Sequence, residues 1–100
     1  MNATLTASGK EQALVDFYRQ LEREGLNCTI LATKARVGRA YLTRVFNGHT
    51  SGRSTWKHVL PLVSDAAQFH LKQCSAWNNY AAAAWREEWN ARQAKQPIYP

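Results

Sequence analysis

Apolar positions recur at helical spacing along most of this chain. Ala13, Leu14, Phe17, Tyr18 and Leu21 share one face of a helix over about residues 9–24. Ser8-Gly9-Lys10-Glu11 fits a capping box ahead of that run, with the Ser8 hydroxyl accepting from the Glu11 amide while the Glu11 side chain reaches back. Gly25 supplies the left-handed position that closes many helices, and Asn27 is placed to cap the next one. Ile30, Leu31 and Ala35 keep the spacing, which lapses at Arg36-Val37-Gly38 and resumes with Leu42, Val45 and Phe46. The pattern predicts two short helices joined by a three-residue turn, with Leu31, Leu42, Val45 and Phe46 in the core. Asn47-Gly48 closes the second helix, and His49-Thr50-Ser51-Gly52-Arg53-Ser54 reads as a surface loop.

Further on, Trp56, Val59, Leu60, Leu62 and Val63 look helical, yet Pro61 has no amide proton and disfavours helix at Leu60. Pro61 is expected to open a helix that includes Ala66, Phe69 and His70, following a turn led by Ser54; a helix kinked through Pro61 is the alternative. Both bury Trp56. From Lys72 to Lys95 there is neither Gly nor Pro, and Trp77, Tyr80, Ala81, Ala84, Trp85, Glu88 and Trp89 keep helical spacing, which predicts a C-terminal helix. Pro97-Ile98-Tyr99-Pro100 cannot continue it.

Composition narrows the class. One hundred residues, 45% of them hydrophobic, suit one soluble domain with a single core, and leave little room for a large catalytic cleft. Five Gly, three Pro and four Trp argue against low-complexity or disordered chains. Cys28 and Cys74 show no metal-ligand spacing and suit reduced thiols in a cytoplasm, the expected location. His49, His58 and His70 match no compact zinc pattern, so neither metal nor cofactor is expected. The start, Met1 to Ala7, lacks the basic and apolar regions of a signal peptide, and the run from Ala76 to Trp85 is half the length of a membrane span. No Ser/His/Asp order, Gly-rich phosphate loop or carboxylate pair is specific enough for catalysis, and no enzyme is expected.

Charge changes the picture more than its total of +6 suggests. Residues 1–26 carry −1 and residues 65–100 carry +1. Between Glu24 and Asp65 there is no acid, while Lys34, Arg36, Arg39, Arg44, Arg53 and Lys57 stand there. An acid-free basic stretch of this length favours a polyanionic partner, nucleic acid foremost, over a merely solvated face.

Two short helices joined by a tight turn form a helix-turn-helix, whose second helix can enter the major groove. The run from Gly25 to Gly48 resembles the lambda-repressor-like (Cro and Xre type) DNA-binding domains, through Leu31-Ala32, Val37, Leu42, Val45 and Asn47-Gly48; the likeness spans about residues 10–70. It implies an all-α, compact five-helix lambda-repressor-like domain over residues 1–70, extended by a C-terminal helix and tail over 71–100. It also implies double-stranded DNA as partner, with Arg39, Ala40, Tyr41, Thr43 and Arg44 reading bases from a recognition helix near residues 38–46. Arg39 and Arg44 lead that set, because an Arg fork can donate two hydrogen bonds to guanine O6 and N7. Tyr41 fits a thymine contact and a partial cover for the core equally well. Asn27, Cys28, Lys34, Arg36, His49, Thr50 and Arg53 are the implied backbone contacts. Two positions depart from the family. Arg36 stands where a turn Gly is usual, so a left-handed turn would force it into an uncomfortable conformation, part of which Gly38 is placed to absorb; Gly38 replaces the usual Ser or Thr cap.

Trp77, Tyr80, Trp85 and Trp89 read either as packing of the C-terminal helix on its own domain or as a dimer or partner interface. The functional expectation is a sequence-specific transcriptional regulator of bacterial or phage type, a repressor binding a two-fold operator as a homodimer. The alternative is an antitoxin-like or adaptor module whose aromatic C-terminal helix captures a protein partner; RNA binding is a third reading of the same basic stretch.

Overall fold

A computed structural model of the chain describes residues 9–95. Ser8 of the expected capping box, the Met1 to Ala7 start and the Pro97 to Pro100 tail lie outside the described residues. Within them the chain is all-helical, with no strand: α1 (Gly9–Arg23), α2 (Cys28–Ala35), α3 (Arg39–Phe46), α4 (Trp56–Val59), α5 (Asp65–Leu71) and α6 (Asn79–Lys95). Its radius of gyration, 14.6 Å, is close to the roughly 13 Å of a folded 100-residue domain and far from the roughly 30 Å of an unfolded one.

The sequence signals act where expected in the first half. Helix α1 buries Ala13, Phe17 and Leu21 and packs on α5. Three successive helices then end in the same pair of backbone bonds. After α1 the Leu26 amide reaches the Leu21 carbonyl and the Gly25 amide that of Glu22; after α2, Val37 reaches Ala32 and Arg36 reaches Thr33; after α3, His49 reaches Arg44 and Gly48 reaches Val45. Each pair is a Schellman closure, which needs a left-handed residue at the first position past the helix. Gly25 and Gly48 supply it at φ 76° and 81°, and Arg36 supplies it at φ 62°. The strain expected at Arg36 is therefore present. Gly38 does not share it, because Gly38 sits in ordinary extended backbone at φ −70° and α3 begins directly after it.

Two expectations fail in the second half. No helix opens at Pro61. Instead α4 runs into a 3-10 turn, Leu60–Leu62, that carries Pro61; Val63 leaves it extended, and Ser64 starts α5 afresh by accepting from the Ala67 amide. The buried Gln68 amide then donates to the carbonyls of Leu60 and Val63, at 3.2 and 2.9 Å, groups that a continuous helix would have satisfied itself. The 3-10 turn separates α4 from α5, so five helices lie between Gly9 and Leu71 and α6 is the sixth among the described residues.

The C-terminal helix also begins later than its composition suggests. Residues 72–78 form turns that bury Cys74 and Ala76, and α6 starts at Asn79 once the Asn78 side chain accepts from the Ala81 amide at 3.0 Å. Trp77 consequently precedes the helix instead of riding on it. Its ring meets Trp56 edge-on at 5.8 Å, the last step of an aromatic series in which Phe17 meets Phe46 at 5.0 Å and Phe46 meets Trp56 at 6.1 Å. Ala81 and Ala84 of α6 are buried where that helix packs on α4 and on the 3-10 turn.

Candidate nucleic-acid interface

Helix α2 is fixed at its start by Asn27, whose side-chain oxygen accepts from the Ile30 amide at 2.8 Å. Cys28, the first residue of α2, is half-buried, and its Sγ lies 3.4 Å from the Thr43 hydroxyl on α3. Thr43 gives its only hydroxyl proton to the Arg39 carbonyl at 3.0 Å. The Cys28 thiol is therefore the donor between the two side chains, and both are engaged in bracing α2 against α3.

Helix α3 turns Leu42, Val45 and Phe46 into the core, which leaves Arg39, Ala40 and Arg44 exposed on its outer side. Tyr41 remains 38% exposed, with its hydroxyl 3.5 Å from that of Thr55. Gly38 offers no side-chain acceptor to the first turn of α3, so the amides there lack a side-chain cap.

The loop after α3 is tied down from two sides. The Ser51 carbonyl accepts from the Trp56 indole at 2.9 Å and from the Asn78 side-chain amide at 3.0 Å. His49 and Arg53 are exposed on this loop and Thr50 is half-buried. The Arg53 guanidinium lies over the Tyr80 ring, 5.5 Å from its centre. Arg53 and Tyr80, read from sequence as belonging to separate surfaces, are thus neighbours.

All six cations between Glu24 and Asp65 are exposed, and none has a carboxylate partner among the described residues. The ion pairs found lie elsewhere: Arg92 meets Asp65 at 3.0 Å and Glu88 at 3.2 Å. Lys57, one of these six cations, and its exposed neighbour His58 stand on α4 and are not among the residues that motif reading selected. The acid-free stretch contained both and was the available signal.

The remaining aromatic candidates stand on α6. Trp85 and Trp89 stack at 6.1 Å with ring planes 17° apart, and the Lys72 ammonium lies 3.7 Å over Trp85. Trp89 is 46% exposed and Phe69, which the sequence reading placed on a helix but not among the interface residues, is 63% exposed. With Asp65 and Gln68 these residues line a groove of about 220 Å3 between α5 and α6.

Cys28 and Cys74 are free thiols. Burial pushes the Cys74 thiol up from its ordinary 9.0 to about 11. Burial likewise raises the Tyr18 phenol from 10.0 to about 12, with smaller contributions from Cys28 and Cys74. Among the described residues no three His, Cys, Asp or Glu gather where they could hold a metal ion, and no helix is long and apolar enough to cross a membrane. Comparison of the chain with protein-family models, with curated proteins and with solved structures yields no match.

Proposed function

We propose that this chain is a sequence-specific double-stranded DNA-binding regulator of the lambda-repressor-like kind, acting as a repressor on a two-fold operator. In this reading α3 lies in the major groove, with Arg39 and Arg44 on base edges. Asn27, Lys34, Arg36, His49, Thr50 and Arg53 then hold the sugar-phosphate backbone. The observation that carries the proposal is the coincidence of two features in one stretch of the chain, from α2 to α4. One is a tight helix-turn-helix whose second helix exposes two arginines. The other is a set of six exposed cations with no carboxylate partner among the described residues. An unpaired cation near a phosphate releases counterions on binding and gives affinity, whereas an Arg fork on guanine gives specificity.

Selection on randomised duplex DNA, run beside an RNA control, tests this directly. The selected duplex should bind well above random duplex and above RNA. Arg39→Ala or Arg44→Ala should cost about 1–3 kcal/mol on the selected site and relax the preference at particular base pairs. Arg53→Ala should weaken selected and random sequences alike. Equal affinity of the wild type for selected and random duplex would sink the reading.

A second reading, capture of a protein partner by the C-terminal helix, is favoured by the exposed Phe69 and Trp89 beside the α5–α6 groove. The same face is where the repressor reading would seat a second copy. Because Ala81 and Ala84 of α6 are buried in the core, deleting the helix would damage the domain. Trp89→Ala is the cleaner probe. Loss of self-association with DNA recognition retained favours the dimer, and unchanged self-association with loss of a heterologous partner favours capture.

A further inference from the structure

Beside the α2–α3 turn, a cleft of about 390 Å3 separates the end of α2 from the start of α4. Lys34 and Arg36 border it on one side; Ser54, Thr55 and His58 border it on the other. No carboxylate lines it. Lys34, Arg36, Ser54 and His58 are exposed, and Lys34 and Arg36 have no ion-pair partner among the described residues. Thr55 differs. It is only 4% exposed, yet its hydroxyl has just the 3.5 Å contact with the Tyr41 oxygen. A buried hydroxyl ordinarily closes on its partner at about 2.7–2.8 Å. One left this loose retains most of its capacity to donate toward the cleft, since Tyr41 can turn its own O–H to Thr55 instead.

Two full cations, an imidazole and two hydroxyl donors around one opening, with no acid among them, form the donor set that a phosphate group requires. The cleft is larger than a bare phosphate needs and lies in the size range of small-ligand sites, roughly 300–1,000 Å3. Arg36 adds a separate indication. It holds a left-handed backbone where Gly25 and Gly48 do the same work without strain, and strained backbone of this kind clusters at binding sites.

We infer that this cleft is a phosphate-binding site formed by Lys34, Arg36, Ser54, Thr55 and His58. The phosphate can belong to a small phosphorylated solute or to the backbone of a nucleic acid. The inference does not rest on DNA recognition by α3, because the donors border the cleft in the free protein.

Proton NMR of the three histidine side chains in the full chain reads the site directly. At fixed pH and ionic strength, inorganic phosphate or a nucleoside monophosphate should shift the His58 ring resonances saturably and leave those of His49 and His70 nearly unmoved. Chloride at the same ionic strength should not reproduce the shift. Lys34→Gln and Arg36→Gln should each weaken the phosphate response about tenfold, the loss expected for one charge-assisted hydrogen bond. Arg36→Gly, which suits the turn and removes the same donor, should weaken it equally, so that misfolding cannot account for the loss. Saturating duplex DNA separates the two sources. If a nucleic-acid phosphate fills the site, duplex itself shifts His58 and added phosphate no longer does; if a small solute is the occupant, phosphate still shifts His58 in the DNA-bound protein. Equal shifts at all three histidines, an equal response to chloride, or an unchanged response in the glutamine variants would overturn the site. A chain that passes the phosphate titration but ignores duplex keeps this site and loses the DNA reading.

Discussion

At Arg36 the backbone adopts a conformation that costs an L-residue about 1–2 kcal/mol, while the Schellman bonds it closes are the same as those at Gly25 and Gly48. Arg36→Gly should therefore stabilise the fold, by about 1 kcal/mol after the extra chain entropy of glycine is counted. A denaturation midpoint that rises while the phosphate response falls would display both sides of this trade. Gly52 is the opposite case. It is buried at φ 65°, and a Cβ there would stand 2.8 Å from Val45 and 3.0 Å from the Trp56 indole nitrogen. Half-buried Tyr18 and buried Cys74 give the fold an alkaline limit. Their protons are held more tightly in the folded state, so the stability they contribute is complete below their ordinary values. It is lost as pH rises from 9.0 to about 11 for the thiol and from 10.0 to about 12 for the phenol. Tyr18→Phe should flatten the decline in urea stability across the upper part of that range, and Cys74→Ala the lower part.

Among the elements, α6 depends on one side chain that does two things. Asn78 caps the helix through its oxygen and holds the loop after α3 through its nitrogen on the Ser51 carbonyl. Asn78→Ala removes both and should cost about 1–2 kcal/mol. Asn78→Asp keeps the cap and loses the donor, so it should restore part of the stability while leaving the loop amides less protected in hydrogen exchange. The cap signals of α2 and the Gly-marked ends of α1 and α3 were legible in sequence because each is completed within a few residues. The late start of α6 was not, since the composition from Lys72 onward favours helix throughout. What overrides that preference is burial of Cys74 and Ala76 and contact of Trp77 with Trp56. The restart at Ser64 is similar: its hydroxyl caps α5 and also donates to Glu24, 40 residues earlier, at 2.5 Å.

Across the whole molecule the charge is segregated. Acids of α1, α5 and α6 lie outside the stretch that carries the six cations, so a polyanion that meets this stretch meets no acid belonging to it. Under the DNA reading, log affinity should fall linearly with log salt concentration. Lys57→Ala, which removes an exposed cation of α4, should reduce that slope by about 1 if Lys57 meets a phosphate, without altering base preference. An unchanged slope would place Lys57 outside the interface. Of the candidate site, the exposed arginines of α3 were readable from helical spacing and charge alone. The cleft beside the turn was not, because Lys34 and Arg36 are joined by Ser54, Thr55 and His58 only when α4 folds back on α2.

By itself the sequence determined where the first three helices begin and end, which residues they bury, and that every excess positive charge falls in the middle of the chain. Those properties follow from side-chain chemistry and from hydrogen bonds spanning six residues or fewer. Tertiary structure alone decided the split at Pro61, the transfer of Trp77 from a helix face into the aromatic core, the bracing of Cys28 against Thr43, and the grouping of donors around the cleft. Each of these depends on contacts between segments distant in the chain, where the energy of burial and of satisfying buried polar groups outweighs local preference.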